Sequence, residues 1–356
     1  MSVCAHASGS RPLLKSLANA VPDHLLAQGD VVHAVTDLFS PRMSNFEKLT
    51  PIFKNAGIDR RYSACPAEWY KQSRNWRERN DIYIAVSEKL FEDAAGKALA
   101  DAQMVAEQID MIVTVSSTGI ATPTIEARQM HAMGFRETVH RVPVFGLGCA
   151  GGVTGLALAS RLAAAEPGSN VLLVVIELCT LSFQYDELSK SNIVASALFG
   201  DGAAAAVIST KSTNPLGYVE HSGEHTWPDT LSIMGWQVDS RGLGVIFDRS
   251  IPDLVKGHMR SATLNFLERH QLSLNDIGGF AFHPGGAKVL DALEAAFELR
   301  QGELNKEREI LRDFGNMSAP TVLFVLARAL KQTQGARHLV SALGPGFTAS
   351  YATLVN

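Results

Sequence analysis

Cysteine is scarce in this chain, charge is balanced, and no apolar run is long. Four cysteines, Cys4, Cys65, Cys149 and Cys179, stand among 356 residues. None forms a CxxC pair and none has a histidine at zinc-finger spacing, so no metal site and no disulfide framework is expected. Reduced thiols and a cytoplasmic setting fit that usage. Net charge is −4 and the pI is near 6.3, which leaves no basic face for nucleic acid. The longest apolar runs, such as VLLVVI at 171–176, fall far below the ~20 residues of a membrane span. Residues 1–25 lack the apolar stretch of a secretory signal.

Strand-like and helix-like segments alternate. A strand and a helix are expected within 11–45, with a turn at VPDH. Residues 80–104 carry apolar positions at helical spacing. IDMIVTVSS (109–117), RVPVFGLG (141–148) and NVLLVVIEL (170–178) read as strands, and CAGGVTGLALASRLAAAE (149–166) as a helix of small residues. Such alternation predicts a layered α/β protein.

The chain also repeats itself. VFGLGCAGGVTGLALASRL resembles RDFGNMSAPTVLFVLARAL, with Cys149 opposite Asn316 and Val171 opposite His338, both 167 residues apart. IDMIVTVSSTGIATP resembles DIGGFAFHPGGAKVL at an offset of 168. Two copies of one αβ unit follow, about 80–210 and 250–356, in halves bounded at 1–211 and 212–356. Three equivalent loops would then carry Cys149, His283 and Asn316 to one point. A cysteine at a helix N-terminus faces the positive end of the dipole, which favours the thiolate, as does a neighbouring imidazole. His283 and Asn316 can both donate to one oxygen, the requirement of an oxyanion hole. Taken alone, Asn316 reads as a helix N-cap.

Five motifs occur in order: GLGCAGG, ALFGDGAAA, HPGG, GNMSAPTVLFVL and GPG. Together they resemble the type III polyketide synthases, the chalcone synthase-like family of the thiolase fold. The pattern is nearest to bacterial alkylpyrone and alkylresorcinol synthases. HPGG separates the chain from the ketoacyl synthase III branch, which carries HQAN-like sequence there. The resemblance implies an αβαβα arrangement of two duplicated halves. It makes Cys149 the acyl-carrying nucleophile, His283 its partner, and His283 with Asn316 the stabilisers of the enolate from malonyl-CoA. Phe199 matches the family's gatekeeper.

The remaining roles also rest on the resemblance. Lys48, Lys288, Gly285 and Gly286 would line the CoA path, with Arg60 and Arg61 adding charge. Pro51 and Asn55 stand where plant members have Arg and Lys. Ser117, Thr118, Cys179, Ser182 and Ser318 fall at cavity or tunnel positions. Trp236 falls near a glycine of chalcone synthases, and Val245 replaces an aromatic. Leu343 precedes Gly344 and Pro345 in an altered cyclisation motif. Glu177 matches a glutamate linked to cyclisation mode, and Cys179 breaks the threonine network around it. Thr122 falls where one subunit of a homodimer reaches the other's cavity.

These features imply a fatty acyl-CoA starter, two or three malonyl-CoA extensions, and an alkyl α-pyrone or alkylresorcinol product. Substrates are CoA thioesters, with no cofactor, metal or membrane span. Three alternatives stand beside this. One is a single-condensation ketoacyl synthase. Another is a chalcone-like or tetrahydroxynaphthalene-forming synthase, for which Cys179 would be a second reactive thiol. The third is a catalytically silent homologue.

Overall fold

Apolar runs separated by small-residue helices build two sheets from one plan. The computed structural model describes residues 11–44, 46–211 and 214–356. Cys4, the first ten residues and the expected boundary at 211/212 lie at or outside these limits. The first half runs β1 (Leu13–Ala20), β2 (His24–Ala27), α1 (Gln28–Phe39), α2 (Pro51–Lys54), β3 (Arg60–Ser63), α3 (Trp76–Asp101), β4 (Met111–Val115), α4 (Ile125–Met133), β5 (His140–Val144), α5 (Gly151–Ala165), β6 (Asn170–Leu178), α6 (Lys190–Leu198) and β7 (Asp201–Ser209). The second runs β8 (Tyr218–Thr226), β9 (Met234–Asp239), β10 (Gly242–Phe247), α7 (Ile251–Arg269), β11 (Gly279–Phe282), α8 (Ala287–Phe297), α9 (Asn305–Phe314), α10 (Ala319–Gln332), β12 (Arg337–Gly344) and β13 (Thr348–Val355).

The first sheet is ordered β1-β7-β6-β4-β5 and the second β8-β13-β12-β11. In both, the first two pairings are antiparallel and the third is parallel. The repeat found in the sequence is therefore a repeat of topology. It breaks at β5: the residues 167 further on, 307–311, lie in α9. There the buried Glu307 carboxylate accepts the Phe282 N–H at 3.1 Å, serving a backbone group at the sheet edge where a fifth strand would pair.

Helices α5 and α10 lie between the sheets. Val153 and Leu156 of α5 pack with Val322 and Leu326 of α10 against Leu173, Ala204, Val340 and Ala352. Helix α3 covers the outer face of the first sheet through Phe91, Ala94 and Ala98. Helices α7 and α8 cover the second through Val255, Met259, Leu290 and Leu293. The result is the expected αβαβα stack. Strands β6 and β7 are buried on both faces, which explains their continuous apolar composition.

Element limits differ locally from the sequence reading. Helix α3 starts at 76 rather than 80, because the Asn75 side chain and Glu78 form a reciprocal capping box. The helix expected from 149 begins as a 3-10 turn, Gly148–Ala150, and continues as α5. Residues 145–147 leave the strand expected over 141–148 and lead into that turn.

Helices α5 and α10 cross at their first turns. A Cβ on Gly152 would lie 2.2 Å from the Ala319 carbonyl oxygen. Gly152→Ala is therefore expected to cost about 3 kcal/mol, as an overpacked core does. Gly96→Ala on α3, where a Cβ meets nothing within 4 Å, should be neutral or slightly stabilising. Thermal unfolding of the two variants checks this.

Candidate active site

Cys149 sits in the turn between β5 and α5, and the GPG segment packs directly on that turn. A Cβ on Gly344 would approach the Leu147 carbonyl to 2.5 Å, and Gly148, at φ +46°, lies against the Pro345 ring. Glycine at both positions lets the two backbones meet. Ser117 secures the turn from behind: its Oγ accepts the Gly146 and Gly148 N–H groups at 3.2 and 3.4 Å.

Cys149, His283 and Asn316 line one cavity. Cys149 and Asn316 occupy equivalent places before α5 and α10. His283 does not: it follows β11, so its counterpart is the Ser116–Ser117 segment after β4. The expectation of three equivalent loops is corrected to one matched pair and one loop of another kind. Asn316 is also not the cap of α10. That position is Ser318, held at φ +56° and ψ −130°, a region costly for an L-residue. Asn316 Oδ1 instead accepts the Ser318 N–H at 2.8 Å, while Nδ2 donates to the Gly285 carbonyl at 3.1 Å. An amide nitrogen has two hydrogens, so one donor stays uncommitted.

Both nitrogens of the buried His283 ring lack a hydrogen-bond partner. Burial lowers its pKa to about 3. Burial likewise pushes the Cys149 thiol up to about 12, against a smaller lowering by the Ser318 hydroxyl. Burial therefore works against the thiolate expected from dipole and imidazole.

A chamber on the other side of Cys149 gathers Phe199, Trp236, Val245, Cys179, Ser318 and Pro345. The Trp236 indole donates to the Ser117 carbonyl at 2.9 Å and meets the Phe199 ring edge-on, centroids 6.3 Å apart. Phe199 is fixed by its backbone, since Asn316 N–H donates to Leu198 O and Gly200 N–H to Asn316 O, at 2.8 and 3.0 Å. Leu343 lines the His283 cavity. Phe247 and Met234 line both spaces and were missed by the sequence reading. The only signal for Phe247 is an aromatic preceding DRSIP.

Ser117, Thr118 and Glu177 stand behind the chamber rather than on its wall. The Ser117 N–H donates to Glu177 Oε2 at 2.9 Å, and Thr118 Oγ1 accepts the Leu178 N–H at 2.8 Å. Cys179 and Ser182 line a second, apolar chamber with Val35, Leu38 and Ala195. It adjoins the first at Cys179 and Phe199. Thr122 is exposed and lines neither space.

A surface groove of about 590 Å³ contains all four expected CoA-path residues, Lys48, Lys288, Gly285 and Gly286. Lys190 and Arg249, not foreseen, line it too, as do Pro51 and Asn55. Arg60 and Arg61 do not join it. Arg60 pairs with Asp313 at 3.6 Å. Arg61 is fully buried and donates to the Ser196 and Phe199 carbonyls at 2.7 and 3.2 Å.

Two duplicated αβ halves, a cysteine ahead of the first central helix and an asparagine ahead of the second define a thiolase-like condensing enzyme. Comparisons with known proteins narrow the class. Sequence models of the chalcone and stilbene synthases match their N-terminal domain to residues 2–212 and their C-terminal domain to 219–354. The chain belongs to this family and is a type III polyketide synthase, an acyltransferase of decarboxylative condensation. It is 37% identical over 342 residues to a 1,3,6,8-tetrahydroxynaphthalene synthase of Streptomyces peucetius subsp. caesius, covering 94% of this chain and 90% of that protein. It is 34% identical over 348 residues to a putative chalcone synthase of Bacillus subtilis (strain 168), covering 94% and 95%. The crystal structure of tetrahydroxynaphthalene synthase from Streptomyces coelicolor A3(2) superposes with a TM-score of 0.91 at 26% identity, covering 96% of this chain and 99% of that one. No helix among the described residues is long and apolar enough to cross a membrane.

Burial raises the Glu177 carboxyl from 4.5 to about 8. Folding thus retains a proton that the unfolded chain releases at lower pH. The stabilising effect is full below the unfolded value and is lost as pH rises from about 4.5 to about 8. Glu177→Gln keeps an acceptor for Ser117 and removes the titration. Its thermal midpoint should match wild type near ~pH 4 and exceed it by several degrees at about pH 8, as read by calorimetry across that range.

Proposed function

We propose that this synthase loads a fatty acyl group from CoA onto Cys149 and extends it with two or three malonyl units. The single observation behind the proposed roles is the His283 ring. It is a buried imidazole without partners on either nitrogen, in one cavity with Cys149 and Asn316. Buried polar groups are ordinarily paired, so a ring left bare there is held for a substrate.

The residues divide the work as follows. On arrival of the acyl thioester, the Cys149 proton passes to His283. The thiolate attacks the carbonyl, and the departing CoA thiolate takes the proton back. His283 is then neutral with one N–H. That N–H and the free Asn316 Nδ2 hydrogen donate to the malonyl thioester oxygen as carbon dioxide leaves and the enolate forms. The enolate carbon attacks the acyl group on Cys149, and the sulfur departs. Phe199 and Trp236 exclude water above the sulfur. The two halves 1–211 and 212–356 supply the nucleophile and the enolate donors respectively. The cationic groove of Lys48, Lys190, Arg249 and Lys288 carries the CoA phosphates.

The chamber past Cys179 supports an aliphatic starter, since Val35, Leu38, Ala195 and Phe183 line it and the Tyr70 and Thr180 hydroxyls on the same wall already bond to each other at 2.7 Å. A second reading, a tetrahydroxynaphthalene-type synthase, is favoured by the 37% identical relative. In that reading Cys179 would react. Cys179 lines both chambers and breaks the threonine network around Glu177, which supports a spacer role and an α-pyrone over a resorcinol. A homodimer in the cytoplasm completes the proposal: strand β5 is a sheet edge, and Ile120 and Phe145 near Thr122 are exposed.

Incubation with malonyl-CoA and acyl-CoAs from acetyl to stearoyl plus 4-coumaroyl, read by mass spectrometry, tests this. Triketide and tetraketide products from aliphatic starters are expected. Cys149→Ala should lose at least ~10³-fold in rate. Products from malonyl-CoA alone would select the second reading. Ala195→Phe, which narrows the apolar chamber, should shift starter preference toward shorter chains without loss of short-chain products.

A further inference from the structure

Strand β3 alternates outward and inward, and that alternation sends Arg60 to solvent and Arg61 into the interior. Gly200 and Gly315 make room for it: a Cβ on either would lie 3.3 and 3.4 Å from the Arg61 Cβ. Arg61 is 2% exposed and lines the chamber past Cys179. Its Nη1 serves the carboxyl end of α6 through the Ser196 and Phe199 carbonyls. Nε and Nη2 have no hydrogen-bond partner. Capping α6 thus accounts for one nitrogen of the group and leaves two. Asp201 acts on Arg61 through space, but its carboxylate is taken up by the Ala64 and Thr180 N–H groups at 2.7 and 2.8 Å. A buried cation with unmade hydrogen bonds is costly, so the free edge calls for a ligand.

The other hydroxyls and the other cation of that wall are already engaged. Ser182 donates to the Cys179 carbonyl and Ser196 to the Ile193 carbonyl, each at 2.7 Å. Tyr70 and Thr180 bond to each other at 2.7 Å, and Lys71 pairs with Glu68 at 2.7 Å. Helix α1 adds apolar surface through Val31, Val35 and Leu38. The chamber is therefore aliphatic, with one buried cation that still has donors to give. Nε–H and one Nη2–H lie parallel along one edge of the planar guanidinium, and that edge matches the two oxygens of a carboxylate. The free volume is about 80 Å³, room for roughly six water-sized groups. That suits a few methylenes ending in a carboxylate.

We infer that the enzyme selects starters whose far end carries a carboxylate, the CoA monothioesters of short aliphatic dicarboxylic acids such as adipic acid, with the distal carboxylate held by Arg61. The inference rests on the proposed use of this chamber by the starter. Cys179 and Phe199 line both this chamber and the one at Cys149, so a short chain joins the sulfur to the cation. Loading breaks the thioester bond to CoA and forms one to the Cys149 sulfur, and CoA leaves with the Cys149 proton. The distal carboxylate keeps its charge and takes no part in bond making. Arg61 acts on specificity and is not a catalytic residue.

Three starters of matched chain length test the inference, each supplied with malonyl-CoA: adipoyl-CoA, its monomethyl ester and hexanoyl-CoA, with products counted by mass. For the wild-type enzyme, kcat/KM for adipoyl-CoA should exceed that for either neutral starter by at least ~tenfold, as pairing a buried charge does. Arg61→Met keeps the bulk and removes the donors, and should lower the adipoyl-to-hexanoyl ratio by at least ~tenfold. Arg61→Lys keeps a charge without the paired donors, and its ratio should fall between the two. Loss of folding lowers every starter alike and leaves the ratio unmoved, and the wild-type comparison needs no variant. Equal use of the methyl ester or hexanoyl-CoA by the wild type would overturn the inference and leave the starter chamber intact. An adipoyl preference that survives both variants would overturn it too, since the carboxylate would then be held elsewhere. No product from any of the three starters would overturn both readings.

Discussion

The close contact of α5 with α10 is the constraint on which the rest depends. Gly152 touches the Ala319 carbonyl and Gly151 lies against the Ala319 side chain. These residues open their helices, so the contact fixes the two helix starts together. Whatever precedes each helix is then delivered to the same place. Cys149 precedes one and Asn316 the other. Bulkier side chains would push the helices apart and separate the two groups by the same displacement. The small-residue run at the head of α5 is thus a condition of the chemistry as well as of the packing.

Bringing reactive groups into the middle layer has an electrostatic consequence. Cys149, His283, Glu177 and Asp201 are all shifted by burial toward their neutral forms. Arg61 is the exception that stays charged, lowered only to about 10. It bonds to the backbone of Ser196 and Phe199, while Asp201 raises its pKa in part. A guanidinium cannot shed its charge under these conditions, so the segment carrying Phe199 is drawn to a fixed cation. Burial disfavours the charged forms of Cys149 and His283 in the same way, and neither nitrogen of His283 has a hydrogen-bond partner to offset it.

Much of this was legible in the sequence, for reasons that can be named. The 167-residue offset between Cys149 and Asn316 survives because the two turns do the same mechanical work at the head of paired helices. The strand at 170–178 was readable to the residue, since β6 is buried on both faces and carries no polar residue between Asn170 and Glu177. Arg61 was not readable. In GIDRRYS it looks like a surface cation, and only contact with residues 135 and 138 positions away puts it inside. Thr118 was misplaced for a similar reason: a hydroxyl near a cavity motif was read as lining, whereas the N–H of Leu178 claims it. The His283 loop was aligned with the segment after β4, where its counterpart lies, but it was read as equivalent to the two helix-opening turns, because a repeat in sequence does not by itself separate a loop that leaves a strand from a turn that opens a central helix.

The groove shows how one chain can depart from a family pattern and keep its physics. Pro51 and Asn55 leave the wall formed by α2 with Lys48 as its one cation. The facing wall carries Lys190 at the start of α6, Arg249 after β10 and Lys288 at the start of α8. Phosphate recognition by point charges depends on distance and on exposure to solvent, and little on which element supplies the charge. Moving cations from one wall to the other keeps the field in the groove while changing its direction. A CoA thioester held mainly from the α6 and α8 side would have its pantetheine arm directed along Gly285 and Gly286, where the absence of side chains leaves the path open toward His283. Charge on the outer wall and glycine on the inner one then act as a single device. In the proposed function the first would hold the carrier, and the second would let its thioester reach the buried donors.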